Sequence, residues 1–238
     1  MAARLSTAAI LVLLSPAAFA ADAVVDVPAD PIPVASGFQG GFDISVYGGA
    51  SASPHSGIDY DFNDGLGARS ANPSWDGASF EMPPYYGVRG TYWFDSAPNW
   101  GLALDFTHAK VEADLAEAPD FTQLEFTDGI NLLTANAFYR HEFTDRITPY
   151  AGVGVGLSIP HVEAFAANGS TQTAEYQVTG VAASALVGVD FAITERISVF
   201  GEYKFSYAQV DADLNGGGYL ETDLIINQAA VGLTFKLF

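Results

Sequence analysis

The sequence predicts an all-β fold: an eight-stranded antiparallel transmembrane β-barrel with short periplasmic turns and long extracellular loops. Three observations predict it. The chain opens with an export signal, and no later run of eighteen apolar residues exists to form a membrane-spanning helix. Its hydrophobic residues, 49% of the chain, are instead spread through segments that alternate apolar and polar, the period of a strand with two unlike faces. The connections between those segments alternate short and long, as in outer-membrane barrels.

The export signal is "MAARLSTAAILVLLSPAAFA" (1–20), with one basic residue, Arg4, an apolar run through Leu14, and small residues at Ala18 and Ala20. Residues 21–38, beginning "ADAVVDVPADPIPVASG", are proline-rich without a consistent period and read as an N-terminal periplasmic arm; the barrel domain occupies 39–238. The chain has no cysteine, so no disulfide framework supports it after export.

The first alternating segment, Gly41–Ala50, sets Phe42, Ile44 and Val46 against Asp43, Ser45 and Tyr47. The second, Tyr85–Phe94, sets Tyr86, Val88, Tyr92 and Phe94 against Arg89 and Thr91. In the third, "GLALDFTHAK" (101–110), Leu102, Leu104 and Phe106 oppose Ala103, Asp105 and Thr107. The fourth, Ile130–Phe143, opposes Leu133, Ala135, Ala137 and Tyr139 to Thr134, Asn136 and Arg140. The fifth, Ile147–Ile159, carries Val153, Val155, Leu157 and Ile159 on one side and glycines on the other. The sixth (Val178–Ile193), the seventh (Ile197–Tyr207) and the eighth, which runs to the C-terminus through Val231, Leu233 and Phe235, repeat the pattern.

"DSAPN" (95–99), "TDR" (144–146) and "TER" (194–196) are the short turns; the connections after segments one, three, five and seven are long and polar. Short turns belong in the periplasm, so odd-numbered segments run outward. Trp93, Phe94 and Trp100, beside the first short turn, are expected in an aromatic girdle. A soluble barrel with an oily interior is the structural rival. The opposing set, with Arg89, Asp105, Arg140, Glu202 and Lys204, does not suit a dry interior, so the apolar set faces lipid. Of these, Arg89, Asp105, Glu202 and Lys204 are expected to form an ion-pair network that plugs the barrel. "GVGVG" (152–156) has no helix after it and is no nucleotide loop; its glycines make room for large lumen side chains. "NGS" (168–170) reads as a loop turn.

Removing Arg4 leaves 8 of the 9 basic residues against 28 acidic ones, which excludes nucleic acid as a partner. The acidity is that of a solvated exterior, or of loops that meet an anionic surface through divalent cations. Of four histidines, His141 falls at the periplasmic end, while His55, His108 and His161 fall at the outward end. The lipid-side parity of segment three extends to His108 and Lys110, and that of segment five to His161 and Glu163, with Asn131 between them on segment four. A bulge, or a kink at Pro160, would reverse this parity. His108 and Lys110 then read as interfacial anchors where the strand leaves the hydrocarbon, or as part of a metal site of imidazoles and carboxylates. "PHS" (54–56) offers no Ser-His pair, because adjacent residues of an extended chain point apart.

Seven motifs, "SVYGG" (45–49), "PHS" (54–56), "SFEMPPYYGVR" (79–89), "DFTHAKV" (105–111), "LEFTDGINLLT" (124–134), "PHVE" (160–163) and "EYK" (202–204), resemble the bacterial outer-membrane lipid A oxidase family. The resemblance spans the barrel from Gly41 to Phe238. It implies an outer-membrane enzyme that uses dioxygen to oxidise the proximal glucosamine of lipid A to an aminogluconate unit, releasing hydrogen peroxide. Dioxygen reacts slowly with a closed-shell sugar, and no flavin or nicotinamide motif is present, so a redox metal, iron or copper, is the expected cofactor. The resemblance and this chemistry together make His55, His108, His161 and Glu163 the catalytic candidates. His108, His161 and Glu163 are the candidate metal ligands, with Asp128 in reserve. Lys110 and Asn131 are candidate contacts to outer-leaflet lipid A, Lys110 through a phosphate. A shared metal requires His108 and His161 to approach within about 5 Å. The expected form is a membrane-embedded monomer of the cell outer membrane. The alternatives are a non-catalytic barrel with an envelope-structural or adhesive role, and, behind it, a lipid A deacylase.

Overall fold

The computed structural model describes residues 37–237; the expected signal peptide, all of the expected arm before Gly37, and Phe238 lie outside the described residues. Twelve strands follow one another: β1 (Gly41–Ala52), β2 (Ile58–Asp61), β3 (Arg69–Ala71), β4 (Trp75–Asp76), β5 (Tyr86–Phe94), β6 (Ala97–Ala113), β7 (Phe121–Arg140), β8 (Ile147–Ala166), β9 (Gln172–Tyr176), β10 (Gly180–Ala192), β11 (Ile197–Leu214) and β12 (Gly218–Lys236). Eight of them, β1, β5, β6, β7, β8, β10, β11 and β12, pair in that order, and β12 returns to pair with β1 from Asp43↔Lys236 to Ala52↔Asn227. Every pairing is antiparallel, so the ring closes without an edge, and apart from a few bulges its residues pair across to a neighbouring strand.

The outward face of the ring is apolar. Leu102, Leu104, Val153, Val155, Val181, Val187, Val231 and Leu233 are exposed, while their neighbours in sequence point into the lumen. The lumen is filled in layers. Trp93, Ala103, Phe138 and Leu186 form a small apolar cluster towards the periplasmic end. Above it lies a charged layer. The Arg89 guanidinium donates to both carboxylate oxygens of Glu202 at 2.8 Å and to Asp105 at 3.1 Å; Lys204 Nζ donates to Asp105 at 2.7 Å, and Tyr47 Oη to Asp105 at 2.6 Å. Two cations and two anions are thereby balanced, and the guanidinium sits between the Tyr47 and Phe138 rings, 5.4 and 4.9 Å from their centroids. The expected interior plug is present in this form. The expected role of "GVGVG" also holds: a Cβ on Gly152 would crowd the Phe138 ring at 3.1 Å, and one on Gly154 would overlap Asn136.

Above the charged layer the polarity of the strands inverts without a change of parity. In β11, Val199, Tyr203 and Phe205 point outward low in the strand, and Asp211 and Asp213 point outward high in it. The inward positions change from Ser198, Glu202 and Lys204 to Val210, Ala212 and Leu214. The outer ends of the strands thus enclose a second apolar core, with Ile58, Tyr60, Phe62, Phe121, Leu124, Phe126, Leu220 and Leu224 buried. The Tyr60 and Phe62 rings meet Phe121 at 4.8 and 5.0 Å. This is a water-facing dome with its oil inside, standing on a lipid-facing barrel with its oil outside.

Two sequence expectations are corrected, one at each end of the barrel. The connection expected as a long loop after segment seven is a hairpin extension, in which β11 and β12 stay paired up to Leu214↔Gly218. Its polar outward residues read as loop only if lipid is assumed on that side. Trp93 is not in the girdle: it points into the lumen, 7% exposed, and its Nε1 donates to Asp43 at 2.7 Å. Trp100 and Tyr139 face outward instead, 4.9 Å apart.

Arg89→Met leaves two buried carboxylates with Lys204 alone and is expected to destabilise the folded barrel by about 3–5 kcal/mol in urea titrations in vesicles. Val155→Arg, in the lipid belt, should cost about 2–4 kcal/mol. Asp211→Arg, on the outer face of the dome, should stay within about 0.5 kcal/mol.

Candidate functional site

The outward face keeps its parity as it leaves the lipid belt. On β6, His108 and Lys110 follow Leu102, Leu104 and Phe106; on β8, His161 and Glu163 follow Leu157 and Ile159. Pro160 points inward and is buried, so it does not reverse the pattern. The register sets His108 beside Asn131 and Asn131 beside Ile159, at one level of the wall. Between the pairs Glu125↔Glu163 and Ile130↔Pro160, β7 carries more residues than β8. This bulge ejects Asp128 to the outside, towards His161. Gly129, at φ +111°, permits the turn, and a Cβ there would lie 2.3 Å from the His108 ring.

Asp128, His161 and Glu163 converge. One donor atom from each lies within 4.8 Å of the others; His161 Nδ1 is 3.4 Å from a Glu163 oxygen and 3.7 Å from an Asp128 oxygen. His161 Nδ1 is buried and makes no hydrogen bond, and the ring packs against Tyr176 at 4.7 Å. Donors around a tetrahedral cation with bonds of about 2.1 Å stand about 3.4 Å apart, so this trio has the spacing and the chemistry of a cation site. Glu163 also accepts from Gln123 Nε2 at 3.2 Å and from Thr127 Oγ1 at 3.4 Å. Gln123 also bonds Glu125, placing a second carboxylate behind the first.

His108 is outside that trio. Asn131 Nδ2 donates to the Ile159 carbonyl at 3.2 Å, which turns Asn131 Oδ1 towards His108 Nδ1 at 2.9 Å. Nδ1 must therefore carry the proton, and Nε2 is left as an acceptor, buried and without a partner. Tyr86 stacks on the ring at 4.8 Å. His108 is 4% exposed and Lys110 1%, although both are on the outer wall, and Lys110 Nζ donates to the Glu81 carbonyl at 3.2 Å. The segment between Ser79 and Tyr85 covers this part of the wall.

The structure thus brings His161, Glu163 and Asp128 into one cluster and places Asn131 and His108 together beside them. His55 is apart. It lies in the exposed stretch between β1 and β2, where Nε2 meets Glu117 at 3.4 Å. Ser56 accepts from Trp75 Nε1 at 2.8 Å rather than serving His55. Glu125 and Gln123 escaped the sequence reading because their register on β8 follows from a bulge that has no fixed motif, and Tyr86 and Tyr176 because cross-strand partners such as Tyr86↔His108 and His161↔Tyr176 are not given by period two.

The fold is similar to that of Neisserial surface protein A, at 16% identity over 82% of this chain and 97% of that one, with a TM-score of 0.48. It is similar to OprG from Pseudomonas aeruginosa at 16% identity over 84% and 98% of the two chains, again with a TM-score of 0.48. No curated protein matches the sequence. The family pattern of the outer membrane protein beta-barrel domain matches residues 7–236, most of the length: the chain belongs to that family, and its place is the outer membrane.

Proposed function

We propose that this barrel oxidises the proximal glucosamine of lipid A in the outer leaflet. The observation that carries the reading is the Asp128–His161–Glu163 trio, set on the lipid-side wall where strands pass from hydrocarbon to headgroups, with a buried imidazole nitrogen that makes no hydrogen bond between two carboxylates. A lumen filled with paired charge offers no comparable site, and a soluble substrate has no reason to approach from the bilayer side.

Asp128, His161 and Glu163 would hold the metal; a mixed set of one imidazole and two carboxylates with positions left open for other ligands resembles the ligand sets of non-haem iron. Such a metal supplies the one-electron chemistry that lets dioxygen react with a closed-shell sugar. The anomeric carbon loses two electrons and two protons to dioxygen, giving hydrogen peroxide and a lactone, and water opens the lactone to the acid. His108 Nε2, the lone-pair nitrogen of the tautomer that Asn131 selects, accepts the proton of the anomeric hydroxyl once the Ser79–Tyr85 segment that covers it moves aside. Glu125 and Gln123 orient Glu163, and Lys110, once released from the Glu81 carbonyl, meets a phosphate of the glycolipid.

Mass spectrometry of lipid A from cells grown in air, with and without the protein, tests this. A gain of one oxygen atom supports oxidation; loss of an acyl chain would point to a deacylase, and unchanged lipid to a structural or adhesive barrel. Glu163→Gln combined with His161→Ala should abolish both the oxidation and the retention of added iron by the purified barrel. His108→Gln should retain iron yet slow oxidation by about 10²–10⁴-fold, which separates the base from the ligands.

A further inference from the structure

The segment between Ser79 and Tyr85 is tied down at both ends and greasy in the middle. Ser51 N donates to Ser79 Oγ at 2.8 Å, Tyr85 N donates to the Ser79 carbonyl at 2.8 Å, and Tyr85 Oη donates into the lumen to Gln228 at 2.9 Å. Between those anchors the chain leaves the barrel and lies over the outer wall of β6, because the carbonyl that Lys110 reaches there is that of Glu81. Phe80 and Met82 flank Glu81 and are each 84% exposed, among the most exposed large apolar side chains described. A water-facing loop has no use for two such groups, and the dome next to it hides its own aromatics inside.

A second apolar pair stands beyond the polar cluster. Tyr176, opposite His161 across the β8–β9 pairing, is 60% exposed, and Val178 is 67% exposed. Gln177 N and Thr179 N donate to the Pro160 and Ser158 carbonyls, which fixes Val178 beside Ile159 on the outer wall. Below run Phe106, Leu133 and Leu157, the top of the lipid belt. Asp128, His161 and Glu163 therefore lie inside a frame that is apolar on both sides and underneath, with His108 and Asn131 buried at its Ser79–Tyr85 edge, and the frame is continuous with the surface already facing acyl chains.

We propose that this frame is a membrane-docking surface: Phe80 and Met82 enter the outer leaflet beside the cluster, and Tyr176 and Val178 enter on its far side. A lipid headgroup then reaches the cluster sideways, from within the leaflet, without passing through water. The occupant is the bilayer itself, and continuity with the lipid belt is the reason for choosing it over a protein partner. The docking surface shares its location with the proposed oxidation and does not depend on that chemistry.

Because the chain has no cysteine, one introduced thiol gives one label. Met82→Cys and Val178→Cys, each carrying an environment-sensitive fluorophore, are folded into phosphatidylcholine–phosphatidylglycerol vesicles that contain a lipid with a nitroxide high on its acyl chain. Leu104→Cys in the belt is the positive control, and Leu66→Cys, 74% exposed between β2 and β3, is the negative one. Both test labels should lose about half or more of their emission, as expected of groups about 5–10 Å into the headgroup–acyl boundary, while the Leu66 label keeps its emission. Test labels quenched no more than the Leu66 label would overturn the docking surface. Quenched labels support it whatever the lipid A mass spectrum shows, so failure of the oxidation reading and failure of this one give different results.

Discussion

A strand in hydrocarbon has no water to satisfy its amides, and the β1–β12 seam is where this structure meets that constraint. Once Asp43 pairs with Lys236 and Ala52 with Asn227, the ring has no open edge. A ring of eight strands is also narrow, so its lumen must be filled by side chains. Glycines on one strand make room for large groups on the next, and the charged layer of Arg89, Asp105, Glu202 and Lys204 is tolerable only because every member is paired. The Asp128–His161–Glu163 cluster stands instead on the outside of the wall, at the height where the solvent changes.

The strands are longer than the membrane needs, and the surplus is used. In the bilayer an alternating strand turns its apolar side to lipid; above it, the same parity brings apolar side chains inward and carboxylates outward. The level of the change is the level of His108, Asn131 and His161. Polar groups on an outward face are costly below that height and ordinary above it, so a polar cluster at the boundary can be reached from the bilayer without being dissolved in it.

Much of this was legible in the sequence. The two faces of the segments and the parity of His108, Lys110, His161 and Glu163 follow from period two; the charges on one face say which side is lipid, and the alternation of short and long connections gives the direction of the chain. Two things did not follow. The extended β11–β12 hairpin was hidden because residues such as Asp211 and Asp213 look like loop unless the solvent on that side is known to be water. From sequence Asp128 is only a reserve ligand, and that it rather than His108 joins His161 and Glu163 was hidden because this depends on the β7 bulge around Gly129, where the count of residues between pairs differs on the two strands. His55 matched by position along the chain and not in space, since nothing in an alternating pattern says which side of the rim a connecting stretch will take.

The dome has one more consequence. Its aromatic interior, with Phe121 against Tyr60 and Phe62 and Arg69 held between Asp64 and Asp120, is built from stretches far apart in the chain. Seen from outside the cell, this end of the molecule is a fixed relief assembled from several connections, so an antibody that recognises it reads a shape, and peptides copied from single loops would make poor immunogens.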